Sequence, residues 1–225
     1  MKRNISVFFA AFLICSVCWI ASAEEMAPWV KGETWNYHHE GPVPFRGPES
    51  TIDGDRVLKV LNVKEADSET MWTLNENWGE SDDAPRTLTV DADRKIHRML
   101  WGDDGIQYDP PMRMDYTSLK PGEETTETIN VKFGDGGMKS IIVAKRMPDE
   151  DVTVPAGTFK SCSYVKIDMK LKMGEMEMPI NHEIWYHPKA NFMVKEKYEF
   201  KAIQVGDREW GGHTSVSELK SHTKP

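Results

Sequence analysis

A chain of 225 residues with a formal charge of −8 and only three cysteines is long enough for one sizeable core. Its acidic balance argues against partners recognised through phosphates or through an anionic membrane surface. Cys15 and Cys18 lie in the apolar N-terminus, which leaves Cys162 alone in the remainder. No disulfide framework is therefore expected, and the ordinary role of Cys162 is that of a core residue on a strand.

Lys2 and Arg3 precede an almost wholly apolar stretch over residues 5–20, and Ala21-Ser22-Ala23 has the small-x-small form of a signal cleavage site. Residues 1–23 read as a signal peptide, and the mature chain is expected in the periplasm or outside the cell. The apolar stretch is short for a membrane span, and no later segment is apolar enough to be one. Cys15 and Cys18 follow Ile14 and Val17, where a lipid-attachment site wants a small residue, so lipidation is the weaker reading. Loss of residues 1–23 would take the charge to about −10. Residues 24–216 are expected to form a single β domain and 217–225 a polar tail.

Strand signals dominate the mature chain. Residues 56–63, 70–78, 86–90 and 94–101 are rich in β-formers and separated by Asp, Gly, Asn and Pro. Asp91-Ala92-Asp93 joins two of them as a hairpin. Residues 125–133 and 138–147 flank a second hairpin turn, Gly134-Asp135-Gly136-Gly137. Residues 40–54 and 102–111 are dense in Gly and Pro and read as loops that rim an open barrel end. No segment has a 3.6-residue apolar period, which leaves room for one short helix at most.

The last third carries the clearest pattern. Over residues 163–173 one face presents Val165, Ile167, Met169, Leu171 and Met173, the other Lys166, Asp168, Lys170 and Lys172. Over 176–186 the apolar face is Met176, Met178, Ile180, His182, Ile184 and Tyr186. A two-residue Gly174-Glu175 turn pairs Met173 with Met176 and sets Ile167 opposite His182. A third strand, 192–202, carries Phe192, Val194, Tyr198, Phe200 and Ala202 on its apolar face, and Glu196 among them. The tightest register of the right parity pairs Tyr186 with Phe192, Ile184 with Val194 and His182 with Glu196. Two ionisable side chains would then meet on an apolar inner face.

Val154-Pro155-Ala156-Gly157-Thr158-Phe159, followed by Trp185-Tyr186-x-Pro188 and Val194-Lys195, resembles a family of secreted bacterial proteins described as TapB-like. Gly32-Glu33-Thr34-Trp35-Asn36-Tyr37 resembles that family's first strand. The similarity is specific over about residues 150–196. It implies an antiparallel barrel or half-barrel like the LolA and LolB lipoprotein carriers, with an apolar interior and no established activity. The family has a glycine in the turn after Trp-Tyr-x-Pro, where this chain has Lys189-Ala190-Asn191; Asn tolerates a left-handed backbone.

The chemistry-bearing motifs are few. His182-Glu183-x-x-x-His187 has one residue too many for a zincin motif, and strand alternation sends its two histidines to opposite faces. A His182–Glu196 pair would hold the imidazole charged at higher pH and could orient a ligand head group or act in acid–base chemistry; a satisfied core pair is the blander reading. Met173, Met176 and Met178, with Met169, gather near one hairpin. Thioethers suit Cu(I) but are also ordinary core filler. Trp185 falls on the face opposite the apolar one and would cover the barrel exterior. P-loop, dinucleotide, nucleophile-elbow, EF-hand and CxxC motifs are absent from the sequence.

These residues predict a mainly β fold, an antiparallel meander of nine to eleven strands closed into a barrel or left as a half-barrel. The expected function is an exported binding module without a cofactor, holding a lipid, a lipoprotein acyl chain or another apolar ligand against a concave face lined by Ile167, Ile184, His182, Glu196, Tyr186 and Tyr198. The alternatives are an envelope assembly protein working through contacts with a protein partner and, less favoured, a copper carrier or hydrolase.

Overall fold

A computed structural model describes residues 26–44, 50–66, 69–79, 85–102, 104–205 and 208–225, with the backbone alone at 66, 173, 205 and 208–210. The signal segment 1–23 and part of the first Gly/Pro-rich loop lie outside the described residues. Most of the described chain is strand, with a 3-10 turn of helix named below.

The elements are β1 (Thr34–Pro42), β2 (Thr51–Ala66), β3 (Glu69–Trp78), β4 (Arg86–Asp91), β5 (Lys95–Trp101), β6 (Asp104–Arg113), β7 (Glu124–Phe133), β8 (Gly136–Arg146), β9 (Glu150–Val154), β10 (Gly157–Met173), β11 (Met176–His187), β12 (Phe192–Phe200), β13 (Ile203–Val205), β14 (Arg208–Trp210) and β15 (His213–Thr223). Twelve of them form a closed antiparallel ring in the order β11-β12-β15-β1-β2-β3-β4-β5-β6-β7-β8-β10, with β10 returning to β11. Closure removes the free sheet edges that an open meander would expose. β9 pairs only with the start of β10, and β13 with β14 forms a separate hairpin between β12 and β15.

Alternation explains the barrel. β3 buries Trp72, Leu74, Glu76 and Trp78, and β4 buries Arg86, Leu88 and Val90, with partly exposed residues between. The β10–β11 hairpin has the register expected of a two-residue turn, with Met173 opposite Met176 and Ile167 opposite His182. Lys166, Asp168 and Lys170 face outward. Asn191 adopts the left-handed conformation at φ 53°, and its N–H donates to Pro188 O, ending a 3-10 turn over Pro188–Ala190.

Several expectations change: the ring has twelve strands rather than nine to eleven, and residues 40–42 and 51–54 of the first expected loop belong to β1 and β2. The β11–β12 register is two residues away from the tightest one: His182 lies opposite Tyr198 and Ile184 opposite Glu196. The strands join through the 3-10 turn and Asn191, and a bulge opposite Trp185 and Tyr186 leaves Val194 without a register partner; beyond the bulge the shift of two keeps Glu196, Tyr198 and Phe200 on the inner face. Residues 102–111, read as a loop, mostly belong to β6. Pro110 and Pro111 are accommodated because the β6–β7 pairing ends at Asp109 and the β5–β6 register shifts between Ile96 and Arg98. The expected polar tail, 217–225, is largely the second half of β15; its pairing with β1 and that of β15's first half with β12 close the ring. Its apolar content is low because alternate residues face solvent and two of the inward ones, Ser215 and Ser217, are small hydroxyls.

One barrel end is sealed. Trp29, from the segment before β1, packs at 5.6, 5.3 and 5.2 Å from the rings of Trp35, Trp72 and Phe192. Trp72 Nε1 donates to Trp29 O at 3.0 Å, Trp29 Nε1 to Asn191 O at 3.2 Å and Trp35 Nε1 to Ala190 O at 2.7 Å. Arg94 lies 4.9 Å over Trp29 and donates to Ala27 O. This end is thus closed by indole packing in which each N–H is satisfied. On the outer wall, Trp185 stacks on Tyr164 at 4.7 Å and donates to Glu150 of β9, the exterior covering expected of it.

Candidate functional site

The lumen is filled at the sealed end and hollow toward the other, where a cavity of about 720 Å3 opens. Leu88, Met99, Ile142, Ile167, Met169 and Ile184 form much of its apolar wall, and Trp101, Gly134 and Gly211 stand at the turns of the open end. Tyr116, Tyr186 and Phe192 form its floor. The Tyr186 hydroxyl donates to the Met114 carbonyl, which ties β11 to the loop between β6 and β7.

A buried polar cluster occupies one side of this cavity. Arg56 of β2 donates through Nε and Nη2 to Glu76 Oε1 at 2.8 and 2.6 Å, and through Nη1 to Glu196 and, at 3.2 Å, to Ser217 Oγ. Arg86 pairs through Nε with Glu76 Oε2 at 2.7 Å, as their direct cross-strand register requires. His182 Nε2 lies 3.3 Å from Glu196 Oε2, and its ring stacks on Tyr198 at 3.8 Å. The Trp78 ring has Arg56 at 4.5 Å and Arg86 at 4.7 Å. The cluster runs from β11, which carries His182, through β12, β15, β1, β2 and β3 to β4, seven neighbours in the ring.

The electrostatics are self-contained. Burial would raise the Glu196 carboxyl, but Arg56 and His182 outweigh it and bring it down to about 2. Burial likewise opposes ionisation of Glu76, and Arg86 with Arg56 reverses it, so its pKa is lowered. Burial opposes the Arg56 charge, which Glu196 and Glu76 hold in place. Next to the cluster, His39 donates or accepts at Ser217 Oγ at 2.8 Å, and burial with the Arg56 charge lowers it to about 4. Burial pushes the Tyr108 phenol up to about 12 and that of Tyr198 well above its usual value. Two guanidiniums face two carboxylates, and the phenols around them are neutral.

The six residues expected at the site, Ile167, Ile184, His182, Glu196, Tyr186 and Tyr198, all line the cavity. His182 and Glu196 meet across a diagonal rather than as directly opposed partners. Met178 lines the cavity, Met176 sits at the hairpin turn, and the Met173 side chain is outside the described residues. Among the described residues no group of three or more His, Cys, Asp or Glu is arranged to hold a metal ion. Cys162 is buried, and burial pushes its thiol up to about 11. Arg56, Glu76 and Arg86 were not expected. Their signal is in the sequence, since each sits in phase with buried apolar neighbours such as Leu58, Leu74 and Leu88.

No family model matches the chain, and no curated protein matches it. Among solved structures it is similar to a candidate exported protein of YmcC-like fold from Bacteroides fragilis, at 14% identity and TM-score 0.49 over 90% of this chain and 100% of that one. It is also similar to a candidate lipoprotein from Parabacteroides distasonis, at 10% identity and TM-score 0.46 over 90% and 100%. A third is the hypothetical lipoprotein YmcC from Escherichia coli, at 9% identity and TM-score 0.46 over 87% and 86%. These comparisons do not show a relationship to the TapB-like family or to the LolA and LolB carriers. No helix among the described residues is long and apolar enough to cross a membrane.

Proposed function

We propose that this protein is an exported binding module that holds a lipid or lipoprotein acyl chain inside its barrel. The observation that carries this reading is the cavity of about 720 Å3, open at one end, with an apolar wall and a small number of fixed polar groups. Small-molecule sites have this size and composition. The methionines of the wall add to the case, because unbranched thioether side chains repack around irregular apolar shapes. The signal-like N-terminus supports an envelope location, where such ligands are handled.

Native mass spectrometry of protein isolated from a periplasmic extract without detergent tests the reading. The expected result is an adduct of lipid mass that is lost on denaturation. The Ile184→Trp variant, which fills the apolar wall, is expected to carry less of that adduct while keeping its fold. A bare mass for the wild type, together with failure to take up added lipid, would overturn the proposal and favour an envelope protein acting through surface contacts.

A further inference from the structure

β11 leaves the open-end turn at Met176, and Met178, His182 and Tyr186 line the cavity in that order, Tyr186 on the floor. The His182 imidazole therefore stands between mouth and floor, on the inner face. Its Nε2 faces Glu196 at 3.3 Å, and one face of the ring is covered by Tyr198 at 3.8 Å. Its Nδ1 has no hydrogen-bond partner among the described residues, and it is not one of the unpartnered atoms that the fold shuts off from solvent. Nδ1 is thus a polar atom that a molecule in the lumen can reach.

The neighbouring carboxylate decides what this atom offers. Glu196, ionised in spite of its burial because Arg56 lies against it, can only accept, so the imidazole proton sits on Nε2. In a neutral imidazole the other nitrogen is then a bare acceptor. Ester and ether oxygens have no hydrogen to give it; a hydroxyl has. A site built to receive a hydroxyl discriminates against the analogue that lacks it, because its own polar atom is left unpaired.

The other reachable groups do not discriminate in this way. The Tyr108 phenol lines the cavity at the Arg86 and Glu76 end of the ion-pair cluster and makes no hydrogen bond among the described residues. Burial pushes it up to about 12, so it is a neutral hydroxyl that serves a donor or an acceptor alike. His213 stands at the rim, stacked on Phe200 at 4.8 Å, with its Nδ1 enclosed.

Resting on the binding-module reading, we propose that the occupant is a lipid whose head carries a free hydroxyl, and that this hydroxyl donates to His182 Nδ1. The alkyl chain lies along the wall that holds Met99, Met169 and Met178.

Displacement of an uncharged naphthylamine probe from the full-length wild-type protein at pH 8 tests this. Dodecanol and its methyl ether are the competitors, alike in charge and chain and different in the donor. Dodecanol is expected to compete at a concentration lower by roughly fivefold or more, the scale of one hydrogen bond. Equal or stronger competition by the ether would overturn the proposal while leaving the binding-module reading intact. If neither competitor displaces bound probe, or if the probe does not bind, the binding-module reading fails with it. The His182→Phe variant keeps a ring against Tyr198 and removes Nδ1. It is expected to bring dodecanol and the ether level, whereas Tyr108→Phe and His213→Phe are expected to keep the preference. The reverse pattern would overturn the assignment to His182. Near-UV circular dichroism checks that each variant is folded. Where His182→Phe does not fold, NMR of the ring nitrogens in isotope-labelled wild type decides: dodecanol, and not the ether, is expected to shift the unprotonated nitrogen of His182. No shift, or a proton on both nitrogens, would overturn the proposal.

Discussion

Arg56 is the residue on which the polar side of the cavity depends, because it touches both Glu76 and Glu196 and neither carboxylate is exposed. Arg56→Ala would leave Glu196 with His182 alone and Glu76 with Arg86 alone. Breaking a buried ionic group by removing one partner costs about 3–5 kcal/mol, and urea unfolding of the variant is expected to show a loss of that order. The same side chains set the acid limit. His39, lowered from 6.5 to about 4, takes up a proton on unfolding before it can do so when folded. Its contribution is complete above about 6.5 and is lost as the pH falls toward 4. Glu196, lowered from 4.5 to about 2, adds stability that is present above 4.5 and lost as the pH falls toward 2. The melting temperature is therefore expected to fall in two stages on acidification, and His39→Gln is expected to remove the first. Glu196 was legible in the sequence as a charge in phase with Val194, Tyr198 and Phe200. Arg56, Glu76 and Arg86 carry the same mark but sit on strands where arginine and glutamate near a strand end read as ordinary surface residues. Nothing local reveals that Arg56 also meets Glu196, on a strand near the other end of the chain.

At the scale of elements, legibility came from period two and from turns of fixed length. The β10–β11 hairpin was readable to the residue because Gly174-Glu175 leaves one register. The β11–β12 register was readable only to its parity, since neither the closing of the 3-10 turn against His187 nor the bulge at Val194 is announced by a single residue type. β15 was missed for a different reason. Its inward positions include Ser215 and Ser217, small hydroxyls that sit beside Glu196 and His39, so the strand lacks the apolar alternation of its neighbours. Its importance can be tested directly. Deletion of residues 218–225 removes the pairing of β15 with the first half of β1, including Tyr37 with Leu219, and leaves open edges. The truncated chain is expected to lose the single cooperative unfolding transition of the full protein, as read by near-UV circular dichroism against urea, and to associate in solution.

For the whole molecule, the sealed end and the hollow end divide the lumen into a part that holds the fold and a part that can exchange its contents. The indole packing of Trp29, Trp35 and Trp72 closes one end, so under the proposed binding role a ligand would enter at the opposite rim. The polar side of the cavity joins the two termini: Arg56 and Glu196 are 140 residues apart in sequence and meet only when β15 bridges β12 to β1. Contacts of such long separation form late, after the loop-closure entropy between them has been overcome. A chain crossing a membrane from its N-terminus would therefore reach the far side with β1 to β4 in hand and Glu76 alone to balance Arg56 and Arg86, Glu196 being still to come. Ligand capture would begin only once the last strand had arrived. In a refolding experiment the naphthylamine signal is expected to rise with the slowest phase, so that readiness to bind reports that the barrel is complete.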